Sequence, residues 1–382
     1  MYPTFFRIFT LFCLSFLPAV PTNAIAASED SPPPPSPPRL IYPNGLALHP
    51  DGSLYVSDIG AHQVFRLDKQ GKLTVVAGTG AQGFSGDGGP ATAARLSSPA
   101  DITFDGDGRL LVADTFNHRI RRIDRDGDIT TIVGDGKSNF SRAETPALST
   151  SLNNPQSIAL APDGTFFLAD SYNHVVRKVF RDGTVSVFAG TEAGLAGDGG
   201  AAAKAQLNLP QAVAVAPDGS VYISDSANSR IRRVGPDGTI QTVAGSGPGS
   251  GEGGAGFGGD GGPADKAKLF SAADLKFNAP GQLYVSDTGN NRVRLIAHNV
   301  IITVAGAGEP GFSGDNAPAR AAKLNTPQKL APAPDGSVYV ADRVNRRVRK
   351  IDPTGVITTV AGEAPGEGIL VDPVILPTPT PE

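Results

Sequence analysis

An aspartate closes a short apolar run six times along the chain, at Asp58, Asp114, Asp170, Asp225, Asp287 and Asp342, with gaps of 56, 56, 55, 62 and 55 residues. Spacing this regular means one supersecondary unit copied six times, and such a unit buries its apolar face only against the next copy. The surrounding text repeats as well. The fourth copy reads Pro210-Gln-Ala-Val-Ala-Val-Ala-Pro-Asp-Gly-Ser-Val-Tyr-Ile-Ser-Asp225, then Asn228-Ser-Arg-Ile-Arg-Arg-Val, then Gly238-Thr-Ile-Gln-Thr-Val-Ala-Gly245. A length of 382 residues admits two average domains. A repeat running from residue 39 to 363 instead favours one closed array.

Alternation and turn punctuation divide each unit into four strands. In the second unit they are Asp101 to Phe104, Arg109 to Ala113, Arg119 to Ile123 and Ile129 to Val133. Pro-Asp-Gly joins the first two strands at 50–52, 162–164, 217–219 and 334–336; Pro presets φ and Gly takes the positive φ that a tight hairpin needs. Strands three and four meet at Gly71, Gly127, Gly183, Gly238 and Gly355, while the fifth unit carries Ala297-His298-Asn299 instead. Four short antiparallel strands per unit make a propeller blade, so the expected fold is all-β, a six-bladed β-propeller around a central channel. Chain direction puts the turn between strands two and three and the long blade-to-blade loop on one face, the top. The bottom is expected to carry only tight turns, too small to shape a pocket. Arg39 to Pro43 matches Arg95 to Pro99, so the first blade is complete and closure needs no strand exchange, with Ile369 to Leu376 available as an added outer strand.

The flanks have their own character. Arg7, the apolar run Ile8 to Leu17 and the small residues ending in Ala24-Ile25-Ala26 have the layout of a secretory signal, which predicts export to the periplasm or the extracellular space with maturation near Ala27. The run is too short to span a bilayer, and none follows it. Residues 27–38 hold a proline-rich linker, the propeller is expected over 39–363, and residues 364–382 form a tail. Cys13, inside the signal, is the single cysteine, so the mature chain lacks disulfides, thiolate ligands and a cysteine nucleophile. A net charge of −4 provides no concentrated basic field and argues against nucleic acid.

The run Asp114-Thr-Phe-Asn-His-Arg-Ile-Arg-Arg-Ile123 and its variants at 170, 225, 287 and 342 resemble the NHL repeat. The loop Gly83-Phe-Ser-Gly-Asp-Gly-Gly-Pro-Ala-Thr-Ala-Ala-Arg-Leu96 is similar to loops of bacterial exported NHL proteins and of the teneurin propeller. The resemblance spans residues 39 to 363 and implies the propeller fold. The family holds protein-binding, RNA-binding and sensor propellers as well as an amidating lyase, so fold does not deliver function.

Most repeated polar residues have a structural reading. The strand-end aspartates are expected to accept N–H groups of the turn that follows, and Asn117, Asn173, Asn228, Asn290 and Asn345 to adopt the left-handed conformation in those turns. His62, His118 and His174 fall at one repeat position, but equivalent atoms a blade apart lie too far from one another for ligand bonds of about 2 Å, so no metal and no cofactor is expected. His49 and His298 are isolated, leaving no match to the lyase's metal site. Asp87, Asp198, Asp260 and Asp315 stand one per loop, too few carboxylates for calcium, and are assigned to turn stabilisation. Asp124-Arg-Asp-Gly-Asp128 starts like a calcium loop but is a hairpin turn. Phe84, Phe140, Phe257 and Phe312 are expected to anchor the top loops to the blades.

Two places remain for a specific contact. One is the pair of irregular loops, 135–154 with Arg142 and Glu144, and 246–270 with its Gly and Ser run. The other is the channel mouth, where Asp101 and Asp274 occupy the same inner-strand position in blades three apart, with Lys329 and Lys276 nearby. Paired carboxylates beside a lysine suit a cationic or hydroxyl-rich ligand, or acid–base chemistry; the competing reading turns them into the seams between blades. The function expected is an exported monomer that acts as a binding or scaffold module, presenting its loop-rich top face to a protein or cell-envelope ligand. The alternative is a lyase or lactone hydrolase acting at the channel mouth.

Overall fold

The computed structural model describes residues 38–246 and 256–362. The signal, the linker, part of the blade 4 to blade 5 loop and the tail, with the strand expected at 369–376, lie outside the described residues. Six antiparallel sheets are present, and in each the four main strands run in chain order from the channel outward; three sheets add a short fifth strand at the outer edge. The inner strands are Pro43–Leu48, Pro99–Phe104, Pro155–Leu160, Pro210–Val215, Ala272–Phe277 and Pro327–Pro332. Second strands end on the six aspartates: Leu54–Asp58, Leu110–Asp114, Phe166–Asp170, Val221–Asp225, Leu283–Asp287 and Val338–Asp342. Third strands follow at Gln63–Leu67, Arg119–Ile123, Val175–Val179, Arg230–Val234, Arg292–Ala297 and Arg347–Ile351. The outer strands are Leu73–Ala77, Asp128–Val133, Thr184–Ala189, Ile240–Ala244, Val300–Ala305 and Val356–Ala361.

Turn chemistry follows the residue types. Gly52, Gly164, Gly219 and Gly336 of the Pro-Asp-Gly turns all have positive φ. In blade 5, His298 and Asn299 both have positive φ, the requirement of a two-residue hairpin between strands of right-handed twist. Each inner strand shifts register just after its first residue, as between Pro99 and Asp101. That bulge re-aims the side chains at the top of the channel.

Two expectations about the turns and loops are corrected. The left-handed residue after the second strand is not the asparagine but its successor: His62, His118, His174, Ser229, Asn291 and Arg346 take φ between 51° and 57°. The asparagine side chain is needed elsewhere, as described below. The blade-to-blade loops also leave the top. Ala147 donates its N–H to the carbonyl of Gly183 in the lower hairpin turn of blade 3, and Thr145–Pro146 pairs on that blade's outer strand. The same short edge pairing occurs at Gly89–Pro90 and Ala317–Pro318. Each loop therefore covers the exposed edge of the next blade, which would otherwise offer unpaired backbone groups to another chain.

Apolar burial is divided among the seams. One cluster fills each junction between neighbouring blades; Leu111, Ile120, Val133, Ile158, Leu168 and Val185, for example, lie between blades 2 and 3. The ring closes in the same manner, with Leu46, Val56 and Phe65 of blade 1 against Ala331, Ala341 and Val348 of blade 6. Among the described residues no strand crosses that junction.

Candidate functional site

The strand-end aspartates are structural, through partners different from those expected. Asp114 Oδ1 accepts the N–H of Ser97, just ahead of its own blade's inner strand, at 2.7 Å. Asp114 Oδ2 takes Asn117 Nδ2 at 2.8 Å and the guanidinium of Arg121 at 3.2 Å. The same aspartate–asparagine–arginine set recurs with Arg177, Arg232, Arg294 and Arg349, and these five arginines are fully buried. Burial pushes Asp114, Asp225, Asp287 and Asp342 up to about 6 against the opposing pull of these partners. Blade 1 departs: Phe65 stands at the arginine position, and Asp58 accepts Ile41, Tyr42, Gly60 and Ala61 amides instead. Only there does the aspartate accept backbone N–H groups of the turn that follows it.

The loop aspartates complete this network. Asp87, Asp198, Asp260 and Asp315 meet Arg121, Arg232, Arg294 and Arg349 at 2.6–2.8 Å. Each buried arginine thus clamps the incoming loop to its blade. The histidines have a comparable task between blades. Nδ1 of His62, His118 and His174 accepts the N–H of Ser98, Asn154 and Leu209 in the following blade, at 3.1–3.3 Å, and Asn291 Oδ1 accepts Thr326. Burial lowers all three histidines below their ordinary value. Among the described residues no group of three His, Cys, Asp or Glu side chains is placed to hold a metal.

At the channel, Asp101 and Asp274 are fully buried. Asp101 accepts the N–H of Ile102 and, across the seam, that of Ile158 in blade 3, both at 3.0 Å. Asp274 Oδ2 accepts Leu330 of blade 6 at 2.8 Å, and its Oδ1 lies 3.4 Å from Lys329 Nζ. Lys329 also donates to the carbonyls of Gln211 and Ala273, which ties blades 4, 5 and 6 together. Lys276 remains partly accessible. Burial disfavours its charge, but the carboxylates of Asp101 and Asp274 more than offset this and hold it above the ordinary lysine value. The arrangement is a charge-balanced set whose carboxylates are engaged with backbone amides.

The upper rim is different. Phe84, Phe140, Phe257 and Phe312 are each about two-fifths exposed, at 41–42 %. Arg119 lies 3.8 Å over the Phe84 ring, Arg292 3.7 Å over Phe257 and Arg347 3.5 Å over Phe312. In the irregular loop Arg142 and Arg177 approach Phe140 at 5.6 and 5.4 Å. Arg142 is exposed and donates to the carbonyl of Thr191; Glu144 is exposed. The phenylalanines do anchor their loops, by stacking under arginine, while leaving one ring face toward solvent.

A family model described as the teneurin NHL domain matches residues 41–147 and 189–251. Teneurin-m of Drosophila melanogaster is 31% identical over 339 residues, 82% of this chain and 10% of that protein. Human Teneurin-4 is 33% identical over 288 residues, 66% of this chain and 10% of its own length. The chain belongs to the NHL-repeat propeller family. It spans about a tenth of the length of these curated relatives. Among solved structures it is similar to an auxiliary nutrient binding protein from Bacteroides thetaiotaomicron, at 17% identity and a TM-score of 0.59 over 84% of this chain and 70% of the other. A streptogramin B lyase matches at 11% identity and 0.53, over 86% and 85% of the two chains. A gluconolactonase from Xanthomonas campestris matches at 15% and 0.53, over 85% and 88%. At such identities these likenesses speak for the fold alone.

One further expectation is corrected on this NHL propeller. The bottom face is not closed by its tight turns: a cavity of about 970 Å³ opens there between blades 2 and 3 and at the lower channel mouth. Turn length was the wrong guide, because the space lies between blades and depends on side-chain size in the seam. The buried arginines were missed too. Their signal is parity, since Arg121 alternates on the same side of its strand as the buried Ile123.

Proposed function

We propose that this protein is an exported binding module that holds a protein partner outside the cytoplasm on the upper rim of its NHL propeller. The observation that carries the reading is the ring of half-exposed phenylalanines, each backed by arginine. Aromatic residues and arginine are the types enriched in interface cores and hot spots, and rings already held in place lose little entropy on binding. The exposed Arg142 and Glu144 in the irregular loop of blade 3 add charge that can select a partner. Asp101 and Asp274 are committed to backbone amides and lysine, which favours a binding role over channel chemistry. Export rests on the charged, apolar and small-residue layout of residues 7–26.

The test is in-cell cross-linking with mass-spectrometric identification of the adduct. It compares the wild type, the Phe84→Ser, Phe257→Ser, Phe312→Ser triple variant, and Lys69→Gln in a lower turn. A partner captured by wild type and Lys69→Gln but lost from the triple variant, with unchanged melting, is the expected result. Equal capture by all three would remove the rim from the account. Edman sequencing of protein recovered outside the cytoplasm is expected to start near Ala27; an intact Met1 in that fraction would contradict processing.

A further inference from the structure

One position in the second strand decides how each seam is filled at its lower end. It holds Tyr55, Phe167, Tyr222, Tyr284 and Tyr339 in five blades and Leu111 in blade 2. Tyr55 meets Phe104 of the next blade edge-on at 4.9 Å, and Tyr222 meets Phe277 at 5.1 Å. Phe167 packs in the seam with Val215 alongside. Between blades 2 and 3 these two positions hold Leu111 and Leu160, neither of them aromatic, and the ring in that seam comes from Phe166, one residue before the second-strand position in blade 3. The 970 Å³ cavity opens at that seam and reaches the lower channel mouth. The seam between blades 5 and 6, where Tyr284 is present, leaves about 380 Å³.

We propose that this cleft is a ligand site for an apolar monocarboxylate of fatty-acid size. Leu111, Ile132, Leu160, Phe166 and Val179 form an aliphatic and aromatic wall, the lining typical of small-molecule sites of roughly 300–1,000 Å³. Cations stand at its mouth. Arg109 is taken by Asp105 and Asp107, both at 2.7 Å, and Arg122 by Asp124 at 2.9 Å. Arg181, exposed on the same rim, makes no ion pair or hydrogen bond among the described residues; the carboxylate whose charge it feels, Asp163, is taken up by the N–H and hydroxyl of Thr165. The carboxylates at the mouth, Asp163 included, each have a hydrogen-bond or ion-pair partner while the donors of Arg181 have none, so the head group that fits is a single anion, with the tail entering the seam. Arg181 presents a planar fork matched to a carboxylate. The site is independent of the upper rim.

Isothermal titration of the full chain with sodium octanoate, kept below its micelle concentration, tests the assignment, with 1-octanol as the neutral analogue. Wild type is expected to bind one octanoate saturably and more tightly than 1-octanol. Leu111→Tyr restores the residue that four other blades carry and is expected to weaken octanoate at least tenfold while melting no lower than wild type. Leu160→Phe, which puts the ring of Phe104 and Phe277 on the opposite wall, serves the same purpose should Leu111→Tyr fold poorly. Arg181→Gln is expected to weaken octanoate several-fold and leave 1-octanol unchanged, and the upper-rim triple variant to bind octanoate as wild type does. Absence of saturable binding, full binding by both seam-filling variants, or equal affinity for octanoate and 1-octanol would each overturn the proposal.

Discussion

A buried arginine changes how the repeat is understood, because the aspartate that marks each blade is held in place by a partner seven residues on. Removing that partner leaves an unpaired carboxyl group closed off from solvent, and breaking one side of a buried pair typically costs about 3–5 kcal/mol. Arg121→Met is therefore expected to destabilise by about that amount in denaturant melts, since Asp114 and Arg121 are both fully buried. The double variant Asp114→Asn, Arg121→Met should recover most of the loss; recovery of none would show that the arginine acts through loop packing alone. The histidines add a pH dependence of known sign. His62, His118 and His174 are lowered by burial and must stay neutral at Nδ1, so their contribution is present above the unfolded value near 6.5 and lost as pH falls through the folded ones. The strand-end carboxyls run the other way: raised to about 6, they favour the fold below the ordinary carboxyl value of 3.8 and lose that contribution as pH rises through about 6. A difference measurement separates the two. The triple His→Asn variant keeps an acceptor, as Asn291 does for Thr326, and wild type is expected to lose melting temperature relative to it between pH 7 and 5. Parallel curves would mean that the histidines do not titrate with folding. The aspartates and asparagines were legible as structural from their repetition; their partners were not, because the amide of Ser97 and the carbonyl of Gly83 come from loops whose path no spacing reveals.

Element by element, the sequence specified what local chemistry controls. The hairpin turns, the strand count and the strand positions to within two residues all follow from Gly placement and period-two alternation. The loop course did not follow, because it is set by edge pairing with a neighbouring blade. A second glycine class shows the difference. Gly219, in a Pro-Asp-Gly turn, has φ +81° and nothing near its missing Cβ; Gly245, after the outer strand, has φ +90°, and a Cβ there would sit 2.3 Å from the backbone oxygen of Ser229. Gly219→Ala should cost only the left-handed penalty of about 1–2 kcal/mol. Gly245→Ala adds a backbone collision and is expected to cost clearly more in the same melts. Equal losses would indicate that the outer-strand exit yields easily. The lower cavity obeys the same division: Leu111 is visible in the sequence, but its meaning appears only once the ring at the matching position of other blades is seen to bridge to the next inner strand.

At the scale of the whole molecule, stability is spread over six seams, and among the described residues the junction between blade 6 and blade 1 is closed by side-chain packing without an exchanged strand. Repeat count and a complete first blade made that closure legible, since Leu40 and Pro43 repeat the Leu-x-x-Pro spacing that opens the later inner strands, with Ala272 in place of proline in blade 5. In a ring where every seam is closed by apolar packing of the same kind, the position of the chain ends is a matter of connectivity, and domains tolerate permutation where ends lie at the surface and no pairing is cut. Joining residue 362 to residue 38 through a short flexible linker, and opening the chain in the loop between blades 4 and 5, leaves every blade's four strands intact. The permuted protein is expected to fold, with the wild-type circular dichroism spectrum, a melting temperature within a few degrees and unchanged octanoate binding. Failure to fold, or a melt split into two transitions, would mean that the blade 6 to blade 1 junction contributes something the other five do not, and Phe65, which stands there in place of the buried arginine, would be the first residue to change.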